Sequence, residues 1–278
     1  MGKFDNIFII SDIDFTFLAS DRSVPERNMR ALEYFKNNGG KFTFATGRSH
    51  LTLLAAFPNA AEMLNAPGIL GNGTYMYDFK DSKPIHQFFI DKDVALKAGR
   101  FILDFYSDTG LRILTPSCTI YSSINKYISK ELENLVYNSS AFYQSPNDWT
   151  GENWHKMVVR DDPEKLMVLR DAMEKEFCHG ELEFVNSEAD FFEIQPFGCQ
   201  KGLGIEMIRR EYLQRGESVK IYACGDYEND LSMLLAADVS ICPSNAHERI
   251  KEIADHCLCS CSDGLIGDIV DRLDKGEI

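Results

Sequence analysis

No stretch of this sequence comes near the roughly 18 uncharged apolar residues needed to cross a bilayer. Positive charge is scarce too: 29 Lys and Arg stand against 43 Asp and Glu, a formal net charge of −14. A chain so poor in basic residues lacks the face that nucleic acid or an anionic membrane requires, so neither partner is expected. A secretory leader is not expected either, because Met1–Asn6 is polar and the apolar run after it is too short. The eight cysteines follow no regular spacing. That argues against a disulfide framework and predicts reduced thiols in a cytoplasmic protein. Internal repeats and low-complexity linkers are absent as well. What is present is ordinary for a folded globular chain: 278 residues, 44% hydrophobic and 26% charged. That length suits one large domain or two of common size.

Strand and helix signals alternate at both ends of the chain. The four apolar residues Ile7 to Ile10 read as a buried strand, "SVPERNMRALEYFKNNGG" as a helix, and "KFTFATG" as a second strand. Ser23 and Glu26 have capping-box spacing, and Met29, Leu32 and Phe35 mark the apolar face. Strand, helix, strand with short joints is a βαβ unit, the building block of parallel sheets. The last third repeats the style, with "LGIEMIRREYL", "SVKIYACG", "DLSMLLAA", "VSICPS", "HERIKEIA", "CLCS" and "GLIGDIVDRL". The middle instead carries hairpin-like pairs, such as "ELEFVNSEADFFEIQ" with a turn at Asn186–Ala189, beside two longer helices. The fold class is therefore α/β: a Rossmann-like, doubly wound parallel-sheet core with an inserted α+β cap domain. The core takes residues 1–82 and 196–278, and the cap takes 83–195.

In open α/β sheets ligands sit beyond the carboxyl ends of the strands. Asp12, Asp14 and Thr16 follow the first strand, and Thr46, Gly47 and Arg48 the second. Asn72 and Gly73 follow a third candidate, and Asp226, Asn229 and Asp230 follow "YACG". Lys201 stands just before a helix. Two aspartates one residue apart oppose each other's ionisation unless something positive lies between them. A hard divalent cation resolves that conflict, and Mg2+ is typically held by a few carboxylates with water and substrate phosphate. Lys201, the Thr46 hydroxyl and backbone N–H groups near Gly47 can hold phosphoryl oxygens. One aspartate is then free to attack phosphorus, and the other to move a proton.

These residues resemble the haloacid dehalogenase superfamily of phosphohydrolases, specifically its Cof-type (IIB) branch. "DIDFT" resembles the first motif, D-x-D-x-T, and "FATGR" the second, a hydrophobic strand ending in Thr. Lys201 resembles the third-motif lysine, and "GDYEND" resembles G-D-x-x-N-D. The resemblance implies Asp12 as nucleophile and Mg2+ ligand, and Asp14 as general acid/base with its backbone carbonyl on the metal. It implies that Thr46 and Lys201 grip the phosphoryl group, that Asp226 binds Mg2+ with Asp230 supporting, and that Asn229 lies near the substrate. One departure stands out: Phe15 occupies the place where the family usually has glycine. The expected function is phosphomonoester hydrolysis on a small phosphorylated metabolite, a sugar phosphate by preference. A phosphomannomutase-like phosphotransferase and a non-catalytic phosphometabolite sensor are the alternatives.

Each residue also has a plainer reading. Thr46 has the position of a helix N-cap before "GRSHLTLLAA". Asn72 has that of a turn residue, and Arg48 that of a surface arginine. Cys257, Cys259 and Cys261 alternate with strand period, which predicts three thiols on one face of a buried strand rather than a zinc site. Trp149, Trp154, Phe191 and Phe192 read as the core of the inserted unit.

Overall fold

A computed structural model describes residues 2–133, 141–188 and 190–278. Its strands, in chain order, are β1 (Ile7–Ser11), β2 (Lys41–Phe44), β3 (Gly68–Leu70), β4 (Tyr75–Asp78), β5 (Lys83–Gln87), β6 (Gly110–Leu114), β7 (Thr119–Ser123), β8 (Ala141–Tyr143), β9 (Lys156–Arg160), β10 (Leu182–Glu188), β11 (Phe191–Pro196), β12 (Lys220–Cys224), β13 (Val239–Pro243) and β14 (His256–Leu258). The chain forms two compact units. The first holds residues 1–46, 59–85 and 200–278, and the second holds 47–58 and 86–199.

In the first unit five parallel strands run in the order β14-β13-β12-β1-β2. β1 is central, with Ile9 opposite Tyr222 on one side and Phe42 on the other. Strands buried on both faces need no polar alternation, which is why these segments read as unbroken apolar runs. The chain leaves β1 for β2 on one side and adds β12, β13 and β14 on the other. Strand order therefore reverses between β1 and β12, the switch point where such sheets hold ligands. Ser11 stands beside Cys224 in the register, so Asp12 and the Gly225–Asp226 pair emerge side by side. A second small sheet, β3-β4-β5, joins through the Ala45–Ile69 bridge.

The second unit is a six-stranded sheet ordered β10-β11-β9-β6-β7-β8, antiparallel except for the parallel β7–β8 pair. Helices Lys92–Phe105 and Pro163–Glu176 supply Ile102 and Leu169 to one apolar cluster, with Trp149, Trp154 and Phe192 buried in it. Phe191 is only half-buried and lies under the Arg160 guanidinium. Segment 47–58, assigned to the core on sequence grounds, groups with this second unit. There Lys156 Nζ donates to the Gly47 carbonyl at 2.8 Å.

Several local expectations are corrected. The first helix, Glu26–Asn37, has Pro25 at its N-cap and no side-chain cap; Ser23 lies two residues before that position, and its hydroxyl donates to Asp21 Oδ1. Its buried face carries Asn28 with Leu32 and Phe35, while Met29 is exposed. Asn28 is accommodated because Nδ2 donates to the Phe17 carbonyl and Oδ1 accepts from the Gly267 N–H. The Asn186–Ala189 turn begins later than expected: β10 runs on to Glu188 through a bulge, and Ala189 lies outside the described residues. The three C-terminal thiols do not share a buried face. Cys257 is exposed on the edge strand β14, whereas Cys261 is buried in the 3₁₀ turn Cys261–Asp263. Among the described residues no helix is long and apolar enough to cross a membrane.

Candidate active site

The loop leaving β1 is tied to its neighbour at once, since the Asp12 N–H donates to the Cys224 carbonyl at 2.9 Å. Opposite it, Lys201 opens the helix Lys201–Gln214 and is fully buried. Its Nζ donates at 2.6 Å to Asp12 Oδ1 and at 2.6 Å to Asp230 Oδ1. The other oxygen of Asp230 accepts the backbone N–H groups of Asp226 at 2.9 Å and Tyr227 at 3.2 Å. A Cβ on Gly225 would overlap that carboxylate, which is the physical reason a glycine opens "GDYEND". Asp226 Oδ1 accepts from the Thr16 hydroxyl at 2.7 Å. Asp12, Asp226 and Asp230 each offer an oxygen, all within 4.8 Å of one another.

Burial dominates the electrostatics here. It holds the Asp12 carboxyl well above its usual range; Lys201 opposes this, and Asp230, Asp226 and Asp14 add to it. Burial and the charge of Asp230 push Asp226 up to about 7, against the Thr16 hydrogen bond and Lys201. For Lys201, burial works to lower the value, but Asp12 and Asp230 outweigh it and keep the ammonium protonated. Three close carboxylates face one ammonium, and every offered donor is a hard oxygen. That is the donor set of a hard divalent cation, and these residues fit one.

The remaining predicted residues fall around this cluster or outside it. Thr46 is buried, with its N–H on the Ile69 carbonyl and its own carbonyl taking the Asn72 N–H, each at 2.9 Å. It is not a helix cap, since the helix His50–Ala56 is capped by Ser49, whose Oγ accepts from the Thr52 N–H at 3.1 Å. Asn72 is buried in the 3₁₀ turn Gly71–Gly73 with φ 58°, and Gly73 lies against the Gln200 carbonyl just before Lys201. Asp14 is half-buried between Ile13 and the exposed Phe15. Asn229 is half-buried in the turn Glu228–Asp230. Gly47 falls in the second unit. Two contributors went unassigned in the sequence reading: the Thr16 hydroxyl on Asp226 and the room Gly225 leaves for Asp230. The last letter of "DIDFT" was the available signal for the first. The second becomes visible only once the 225–230 turn is folded.

The chain belongs to the haloacid dehalogenase-like hydrolases, whose family model matches residues 9–267. Its relatives include enzymes named as phosphatases. It is 25% identical over 249 residues to the HMP-PP phosphatase of Yersinia pseudotuberculosis, covering 87% of this chain and 85% of that one. A match to the chloroplastic endoribonuclease YBEY of Arabidopsis thaliana, also 25% identical, runs over 274 residues. It takes in 89% of this chain but spans only 43% of that longer protein. Among solved structures, the HAD subclass IIB sugar phosphatase BT4131 has a TM-score of 0.81 at 19% identity, covering 98% of this chain and 99% of that one. A likeness at that identity speaks to the fold.

Proposed function

We propose that this protein is a Mg2+-dependent phosphomonoesterase acting on a small phosphorylated metabolite through an aspartyl phosphate on Asp12. The observation that carries the reading is the buried cluster at the ends of β1 and β12, with Lys201 bonded to Asp12 and Asp230, and Asp226 beside them. Asp12, Asp226, the Asp14 carbonyl and, in support, Asp230 would hold Mg2+. When bound, Mg2+ supplies positive charge against the carboxylates and the phosphoryl oxygens. Lys201 adds a buried positive charge where phosphoryl oxygens gather, and the Thr46 hydroxyl and Asn229 amide orient them. Asp12 attacks phosphorus as the bond to the leaving oxygen breaks, and Asp14 gives that oxygen its proton. Asp14 then takes a proton from the water that attacks the aspartyl phosphate, releasing inorganic phosphate and restoring Asp12.

The relatives' names set the substrates to try first: a sugar phosphate, as for BT4131, and HMP-PP. We favour the sugar phosphate, because a small neutral leaving group suits a chain with a net charge of −14. All eight cysteines are unpaired, which suits the reducing cytoplasm we take as its location. The test is phosphate release from p-nitrophenyl phosphate and a sugar-phosphate panel, with Mg2+ or chelator, for wild type and Asp12→Asn. Metal-dependent release that vanishes in the variant is the expected result. Release that survives both chelation and Asp12→Asn would sink the mechanism.

A further inference from the structure

Phe15 lies between Asp14 and Thr16 with φ 59°. In that left-handed region Cβ crowds the following carbonyl, and bulky residues rarely settle there. Burial does not offset the strain, because Phe15 is 48% exposed. Strain of this kind persists only where the surroundings over-determine the backbone, and it gathers at functional sites. The surroundings here can be named. The Phe15 carbonyl accepts from Asn245 Nδ2 at 2.9 Å, and Asn245 Oδ1 accepts from the Cys261 N–H at 2.9 Å. Those two bonds fix which way the amide points. On the far side of the turn, the Phe17 N–H donates to the Ile13 carbonyl at 3.1 Å, and the Phe17 carbonyl accepts from Asn28 at 2.9 Å. Between these anchors stand Asp14 and the Thr16 hydroxyl that donates to Asp226. If Phe15 relaxed to negative φ, its carbonyl and both flanking peptides would turn, taking Asp14 and Thr16 with them.

We propose that Asn245 is a positioning residue for the reaction. By holding the Phe15 carbonyl, it keeps the strained Asp14–Phe15–Thr16 turn in the shape that presents Asp14 for proton transfer and steadies Asp226 through Thr16. The role in turnover rests on the phosphatase reading; the hold on Phe15 stands apart from it. Asn245 follows β13 by two positions, and its amide is bonded to the Phe15 carbonyl and the Cys261 N–H, so it acts through the turn.

The test is a double-mutant cycle on the full chain, with N245A made in the wild type and in the F15G background. Glycine enters positive φ at no steric cost, so the turn in that background needs no clamp. In the wild type, N245A is expected to lower kcat about tenfold with KM changed less than about twofold, as expected when an acid/base group is displaced. The Mg2+ concentration for half-maximal rate should rise severalfold. In the F15G background the same substitution should change kcat less than about threefold. Urea unfolding read on the same four proteins needs no turnover. There N245A should lower the folding equilibrium constant at least about fivefold less with Phe15 present than in the F15G background, because relaxation of the strained Phe15 offsets part of the lost hydrogen bonding while glycine has no strain to release. Equal effects of N245A in both backgrounds, or none in either, would overturn the proposal. A wild type that releases no phosphate from any substrate would defeat the phosphatase reading instead, while the unfolding cycle still decides whether Asn245 holds Phe15.

Discussion

Replacing Lys201 with methionine isolates what the buried ammonium does for the fold. The side chain is 0% exposed, and its two partners, the Asp12 and Asp230 side chains, are 10% and 1% exposed. Methionine keeps most of the volume but leaves both carboxylates facing each other and Asp226 without a cation. Removing one partner from a buried ion pair typically costs about 3–5 kcal/mol. The carboxyls escape part of that cost by taking up protons, so the penalty must depend on pH. Asp12 already sits above its unfolded value in the wild type, and losing Lys201 raises it further. A carboxyl raised in the folded state contributes nothing unfavourable while it is protonated. Its cost appears as pH rises past the unfolded value, so Lys201→Met should be mild near pH 4 and severe near pH 8.

At about 2–4 °C per kcal/mol for a unit of this size, the melting temperature should fall by roughly 10 °C near pH 8 in chelator. Millimolar Mg2+ should recover more of that loss in the variant than it adds to the wild type, since the ion supplies charge that the lysine no longer does. Thermal and urea melts at both pH values, each with Mg2+ and with chelator, give the four numbers needed. A loss under about 1 kcal/mol near pH 8 without metal would refute the reasoning, because it would mean Lys201 is not the counter-ion of this cluster.

Other positions give independent checks. His155 is buried in the second unit with Nδ1 2.9 Å from the Phe88 carbonyl, and burial lowers its imidazole to about 4. Because the unfolded chain protonates this ring first, stability should fall by up to about 3 kcal/mol as pH drops from about 6.5 to 4. Urea unfolding across that range should show a flatter pH dependence for His155→Gln, and an unchanged slope would contradict the assignment. Gly225→Ala forces Asp230 away from its two backbone donors. Overpacking of that kind costs about 1–3 kcal/mol, and phosphate release should fall more than tenfold by the displacement of Lys201's partner. A variant with wild-type stability and turnover would show that the Asp230 geometry is not needed.

The parts of the fold that were legible in the sequence are those where one physical cause acts locally. β1, β2, β12 and β13 are buried on both faces, so their apolar runs marked them directly. Asp12, Asp226 and Lys201 stood out by occurring together in ordered motifs at strand ends and a helix start, since a single aspartate after a strand is as readily a turn or cap residue. What stayed hidden depends on partners far away in the chain. Asn28 is buried because Gly267, 239 positions on, donates to it. Gly47 belongs with the second unit, where its carbonyl meets Lys156 across 109 positions. Ser23 and Glu26 had the right spacing for a capping box, but the helix begins with Pro25 at its N-cap, two residues past the serine. The 257–261 cysteines had strand period, but β14 ends at Leu258 and the chain turns before the pattern can act.

The charge balance of the site bears on why these residues are there at all. Asp12, Asp226 and Asp230 crowd within 4.8 Å and Lys201 is the ammonium bonded to two of them. Apolar residues of similar volume in place of such a buried ionic cluster are often neutral or stabilising. Folding alone therefore gives no reason to keep it, since burial first, and then the neighbouring carboxylates, hold Asp12 and Asp226 above their usual range. Lys201 compensates part of the negative charge and leaves the rest standing. In the function proposed above, a divalent cation would complement that remainder, and with Lys201 beside it would attract a phosphoryl group. On that proposal, a protein of net charge −14 would handle an anionic substrate without a basic surface, because the attraction would be confined to the buried cluster.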